Sequence, residues 1–209
     1  MLDAKQALQR LIDGNARFVQ ERQSGIKQVT QSHRDALVSG QNPLAIILGC
    51  SDSRVPAELV FDQGLGDLFV IRVAGNIVAP SGVGSVEFAA ERYGTPLVVV
   101  LGHSSCGAIL ATLEDLENRH ASPNVNSIVS RIRPSVENLL ELRSDWEHHD
   151  LVDQAVRANI RASVNQLRHG SQMLEGLIQQ GKLLVVGAEY SLETGVVDFF
   201  DGVPDDLKE

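Results

Sequence analysis

The chain has no long apolar run: its longest, LAIIL and LVVVL, are about strand length, whereas a membrane-spanning helix takes about 20 apolar residues. It also has no basic excess. With 18 Lys and Arg against 27 Asp and Glu the formal net charge is −9, so nucleic acid and anionic membrane, which would repel it overall, are excluded as default partners. A small substrate or another protein is the better expectation. The N-terminal stretch MLDAKQALQRLIDGNARFV carries no apolar segment behind a basic one, and its alternation of apolar and charged positions is helical, so it is not read as a signal peptide. Cysteine is scarce, with Cys50 and Cys106 alone. A disulfide can be drawn between them, but in a reducing compartment two free thiols or two metal ligands are the better expectation. These absences together describe a soluble cytoplasmic protein.

What is present fits one folded unit. A hydrophobic fraction of 43% and a charged fraction of 22% are ordinary for a globular chain, and 209 residues can bury a sizeable core in a single domain, 1–209. Within it, 1–40 reads as a helical arm and 41–209 as an α/β core. Ala4, Leu8, Leu11, Ile12, Ala16 and Phe18 recur at helical spacing, a polar SGIKQVTQS linker follows, and 32–39 has the length of a second short helix. Four continuous apolar runs then appear: LAIILG (44–49), LFVIRV (68–73), LVVVLG (97–102) and LLVVGA (183–188). A fifth, VVDFF (196–200), alternates like an edge strand. Between them lie a short helix over 56–61, a turn opening a helix in SGVGSVEFAAERYG, and amphipathic patterns near 126–146 and over 151–180. Continuous apolar strands separated by helices predict a mostly parallel sheet of four strands plus an antiparallel edge strand, flanked by helices.

Sheets of that kind hold their sites at the carboxyl ends of the strands. After the first apolar run comes G-C-S-D-S-R, and after the third G-H-S-S-C-G. Both cysteines therefore fall at strand ends, and the H-x-x-C spacing lets His103 and Cys106 converge on one ion while Cys50 arrives from a neighbouring strand. Two thiolates and an imidazole suit Zn2+, with Asp52 the natural fourth ligand. Bound by all four, the ion would be closed to substrate. Arg54, two residues beyond Asp52, offers a bidentate fork that can draw the carboxylate away and open a position for water.

C-S-D-S-R-V, R-V-A-G-N and G-H-S-S-C-G, in that order after successive strands, resemble the β-class carbonic anhydrases of bacterial type, and the similarity runs from about Leu11 to Phe200. The resemblance implies zinc held by Cys50, His103 and Cys106, with Asp52 and Arg54 as the dyad beside it. It implies reversible hydration of carbon dioxide to bicarbonate and a proton by zinc-bound hydroxide. The site should be most active at alkaline pH, because two thiolates make bound water less acidic than the pKa of about 7 reached on three histidines, with Asp52 on the metal at low pH.

By the same resemblance Gln41 donates to a substrate oxygen, and Phe69, Ala74, Phe88 and Gly107 line the pocket. Phe88 replaces a tyrosine and Ala74 a valine of other members. Some members bind bicarbonate at a second, inhibitory pocket of Trp, Arg and Tyr. Here Arg72 and Tyr190 match, whereas Ile47 replaces the tryptophan and removes its N–H donor. Apolar helix faces in excess of what the sheet needs, together with the resemblance, imply a homodimer or homotetramer in which the N-terminal helix embraces its partner. Two rival functions share the motif: hydrolysis of carbonyl sulfide or carbon disulfide, and a closed, non-catalytic zinc site in a bicarbonate-binding protein. S-G-V-G-S (81–85) lacks the Lys of a phosphate loop and reads as a turn into a helix. His148 and His149 could relay protons, although a surface role is the simpler one.

Overall fold

Strands that are apolar on every residue need cover on both faces, and here they have it. A computed structural model describes residues 2–22, 30–116, 121–142 and 148–207. Its sheet contains β1 (Ala45–Gly49), β2 (Leu68–Arg72), β3 (Leu97–His103), β4 (Leu184–Tyr190) and β5 (Val197–Asp201), in the spatial order β2-β1-β3-β4-β5. The first four are parallel and β5 is antiparallel to β4, as the apolar runs predict. Every residue of β1 and β3 is buried.

Alternation along these strands divides the core in two. Ile46, Leu48, Val98 and Val100 face one layer, built from α4 (Pro80–Tyr93), α5 (Gly107–Leu116), α6 (Pro123–Leu142), α7 (His148–His169) and α8 (Gln172–Gln179). Ala45, Ile47, Leu97 and Val99 face the other, where Leu8 and Leu11 of α1 (Ala4–Val19) pack with Phe61, just past the short helix α3 (Ala57–Val60). Each fully buried leucine there stabilises the fold by about 1.5–3 kcal/mol. A second short helix, α2 (Gln31–Leu37), lies between α1 and β1.

The N-terminal helix, expected as an arm, also packs within its own chain. Asp3 and Gln6 close a reciprocal capping box at its start, and its apolar stripe then covers its own chain's sheet. The approach is close enough that a Cβ at Gly14 would lie 1.9 Å from the Phe61 carbonyl oxygen. Asn15, one residue on, donates to the carbonyls of Val60 and Gly195 and accepts from the Val197 amide, tying α1 to α3 and to β5. Burial of Leu8 and Leu11 requires a groove of matching width, which this sheet face supplies.

Two further expectations are refined. S-G-V-G-S is already helical, because Pro80 at the first turn starts α4 before it. The pattern over 151–180 breaks into α7 and α8, where Ser171 caps the second helix through Leu174 N–H. Residues 24–29 of the linker and 143–146 of the 126–146 pattern lie outside the described residues. Among the described residues no helix is long and apolar enough to cross a membrane.

Candidate metal centre

The site follows from the strand order. β1 and β3 are neighbours with Gly49 opposite Leu101, so the residues leaving their carboxyl ends meet. Cys50 is the first residue after β1 and His103 the last of β3. Ser105, with φ of +54°, turns the chain back so that Cys106 immediately precedes α5. Cys50, His103 and Cys106 are 5%, 0% and 2% exposed, and their ligating atoms lie within 4.8 Å of one another.

Two of the three donors are oriented from behind. His103 Nδ1 lies 2.9 Å from the Ser104 carbonyl oxygen, a contact that places the ring proton on Nδ1 and leaves the Nε2 lone pair facing the cluster. Nε2 is fully buried and has no hydrogen-bond partner, a costly state for an imidazole nitrogen that a cation relieves. The Gly75 amide donates to Cys50 Sγ at 3.3 Å. Gly75 can do this because it sits at φ +72° in the tight turn Ala74–Asn76, where a Cβ would lie 2.8 Å from Ile132 and 2.9 Å from Ala108.

The electrostatics are those of a ligand set. A hydrogen bond from Cys106 draws the Cys50 thiol well down in spite of burial, and the same bond, with burial, pushes Cys106 up. One proton is thus shared between two sulfurs, and losing it leaves two adjacent thiolates that need a cation. Burial opposes a charged His103, but the nearby Cys50 sulfur and the Ser104 carbonyl outweigh it and raise its pKa. Two soft sulfurs and one borderline nitrogen, all buried and one orphaned, fit Zn2+.

Asp52 stands beside this trio and outside it. Arg54 Nε and Nη2 donate to its two carboxylate oxygens at 2.9 and 2.7 Å, and the Arg54 amide donates to Oδ1 at 3.0 Å. The guanidinium holds the Asp52 carboxyl well below the usual carboxylate range. Asp52 Oδ2 lies 3.9 Å from His103 Nε2, so the carboxylate borders the cluster while paired elsewhere. Arg72, on β2, donates from Nε to the Cys50 carbonyl at 3.1 Å and from Nη2 to the Asp52 carbonyl at 2.6 Å, bracing the same loop.

Other candidate residues divide by location. Ala74 precedes Gly75, and Gly107 follows Cys106 with open space where a side chain would stand. Gln41, Phe69 and Phe88 do not join the cluster. Phe69 and Phe88 stack with Tyr93 at the β2 edge, with ring centroids 5.7–6.3 Å apart, and Gln41 Nε2 donates to the Tyr93 hydroxyl at 3.0 Å. Arg72 and Tyr190 are separated by two strands; Tyr190 packs on Phe18 and Ile47 is fully buried in β1. His149 is a surface residue 3.3 Å from Asp153. Three residues with a part in this geometry carried no motif signal: Tyr93, and Asn159 and Ser163 on α7, which read as ordinary polar positions of an amphipathic repeat. Gly75 was visible only as one member of the R-V-A-G-N string.

Comparison with known proteins gives the family. A family model described as carbonic anhydrase matches residues 45–197. Carbonic anhydrase 2 of Mycobacterium tuberculosis is 41% identical over 187 residues, which span 88% of this chain and 87% of that protein. Carbonic anhydrase of Mycolicibacterium smegmatis is 40% identical over 189 residues, spanning 90% and 89%. The solved structure of the β-carbonic anhydrase CcaA superposes with a TM-score of 0.75 at 30% identity, covering 95% of this chain and 93% of its own.

Proposed function

The chain belongs to the β class of the carbonic anhydrase family, and we propose that it catalyses the reversible hydration of carbon dioxide to bicarbonate and a proton, with a zinc ion held by Cys50, His103 and Cys106. Such an ion supplies Lewis acidity, damped by two thiolates relative to the three-histidine case in which the pKa of water falls to about 7, so that activity rises toward alkaline pH. The remaining tasks belong to the chain's own side chains. Three protein ligands would leave a position on such an ion exchangeable, whereas a fourth would close it. Arg54 keeps Asp52 from becoming that fourth ligand by occupying both of its oxygens.

Held in this way, the Asp52 carboxylate is an acceptor at the edge of the cluster. It takes the hydrogen bond of the attacking water and aims the oxygen lone pair at the carbon. A closed form at low pH would require Asp52 to leave Arg54 for the ion, and its carboxyl, held ionised in acid, would be available for that. Ala74 and the open side of Gly107 border the approach to Cys50 and Cys106. Gln41, Phe69 and Phe88 form a separate, largely aromatic edge on which Phe88 is 52% exposed. A homodimer or homotetramer would cover such a surface and complete an apolar pocket with Gln41 as the polar donor. Arg72 serves the Cys50–Asp52 loop in this reading, in place of an anion site with Tyr190.

The observation that carries the proposal is the pairing of Asp52 with Arg54 beside three buried donors. It supports an open centre over a closed, non-catalytic one. Metal analysis with stopped-flow hydration across pH tests it: zinc near one per chain, loss of activity on chelation, recovery with zinc, and a rate that climbs with pH are expected. A rate flat from mildly acidic to alkaline pH refutes the gate. Side-by-side rates on carbon dioxide and carbonyl sulfide separate hydration from the related hydrolysis.

A further inference from the structure

Cys50 Sγ receives a hydrogen bond from the Gly75 amide, which belongs to a turn that cannot support itself. Gly75 and Asn76 are both left-handed, at φ +72° and +44°, in a three-residue stretch. Consecutive left-handed residues persist only where their surroundings over-determine them, and an asparagine there is strained in a way a glycine is not. The support comes from α7, far away in sequence. Asn159 Nδ2 donates to the Gly75 carbonyl at 2.8 Å, and Ser163 Oγ, one helical turn on, donates to the Asn76 carbonyl at 3.2 Å. Both side chains are buried, at 3% and 4% exposure, on a helix face otherwise occupied by Val156, Ile160 and Val164.

We infer that Asn159, assisted by Ser163, is a positioning residue for the metal centre: it fixes the Gly75–Asn76 turn so that the Gly75 amide points at Cys50 Sγ. Polar side chains in an apolar helix face are costly unless paired, and these pair only with the two carbonyls of this turn among the contacts described. The amide they aim draws charge from one thiolate. It thereby limits how strongly the pair of sulfurs damps the Lewis acidity of a bound cation. Asn159 thus acts through Gly75 and touches no substrate. The inference rests on the reading of Cys50, His103 and Cys106 as a metal centre.

Cobalt(II)-substituted full-length protein tests it, because the thiolate-to-cobalt charge-transfer band reports electron density on sulfur. In Asn159→Leu the band is expected at lower energy, zinc affinity measured by chelator competition about tenfold weaker and kcat/KM about tenfold lower. Ser163→Ala should give a smaller displacement in the same direction. Leu167→Ala, a buried change on the same helix away from the turn, should lower the melting temperature and leave the band in place. A wild-type band in folded Asn159→Leu overturns the inference, as does an equal displacement in Leu167→Ala. If Asn159→Leu does not fold, an undisplaced band in Ser163→Ala overturns it. Wild-type protein that takes up cobalt without any thiolate charge-transfer band refutes the metal-centre reading itself, and the inference falls with it.

Discussion

Two groups of candidate residues lie on one sheet and are built in opposite ways. The cluster at the carboxyl ends of β1 and β3 is buried, and its surroundings hold it: the Ser104 carbonyl meets His103, the Gly75 amide meets Cys50, and Arg54 holds Asp52 beside them. The group at the β2 edge, with Gln41, Phe69, Phe88 and Tyr93, is aromatic, partly exposed and held by ring stacking and a single Gln41–Tyr93 hydrogen bond. A ligand set must be rigid before its ion arrives, since donors displaced by an ångström lose the geometry. An apolar wall for a small uncharged gas needs no such rigidity and can be finished by another copy of the chain. The first group is therefore complete in one chain, and in the proposed oligomer the second is finished by another copy.

Changes at the metal centre should have the largest effects. Removal of zinc, or Cys106→Ser, is expected to lower hydration by more than about 10³-fold, with bound metal measured alongside the rate. Retention of substantial activity would mean that the cluster is structural. Arg54→Ala comes next. It should leave zinc content unchanged and lower kcat by about 100-fold by freeing Asp52 to close the centre, an effect of the size seen when groups that orient metal ligands are lost. A fully active variant would remove the gate from the mechanism.

At the β2 edge the effects should be smaller and of another kind. Phe88→Ala is expected to lower kcat/KM by about tenfold, mostly through KM, and to shift the oligomer toward smaller species in sedimentation. Loss of zinc in this variant would erase the distinction between the two groups. The least effect is expected from Tyr93→Phe, which removes only the acceptor of Gln41. A change in kcat/KM of about two- to fivefold, matched by Gln41→Ala and not additive with it, would mark the pair as one unit. Additive losses would mean that Gln41 acts without the tyrosine.

The sheet was legible because β1 to β4 are largely continuous apolar runs, the edge run alternates and the intervening segments are helical; all five strands lie within a residue or two of the runs that announced them. The ligands were legible for a related reason. A cysteine or a histidine at the end of a buried strand is conspicuous, and H-x-x-C brings two donors into one turn. The docking of α1 was not legible, because an amphipathic stripe states that a face must be covered and does not say by which surface. The roles of Asn159 and Ser163 were hidden likewise. A polar residue on a helix has the same appearance whether it faces water or a buried carbonyl.

By itself, then, the sequence determined the α/β class, the strand set and which residues are candidate donors at the carboxyl ends of the strands, because hydrophobic period and ligand chemistry are local properties of the chain. Only the tertiary structure decided that Cys50 and His103 lie on adjacent strands, that Arg54 holds Asp52 aside, that α1 folds back on its own sheet and that α7 braces the turn behind Cys50. Each of these depends on contacts between segments far apart in the chain, and no local pattern encodes which distant surface will supply the partner.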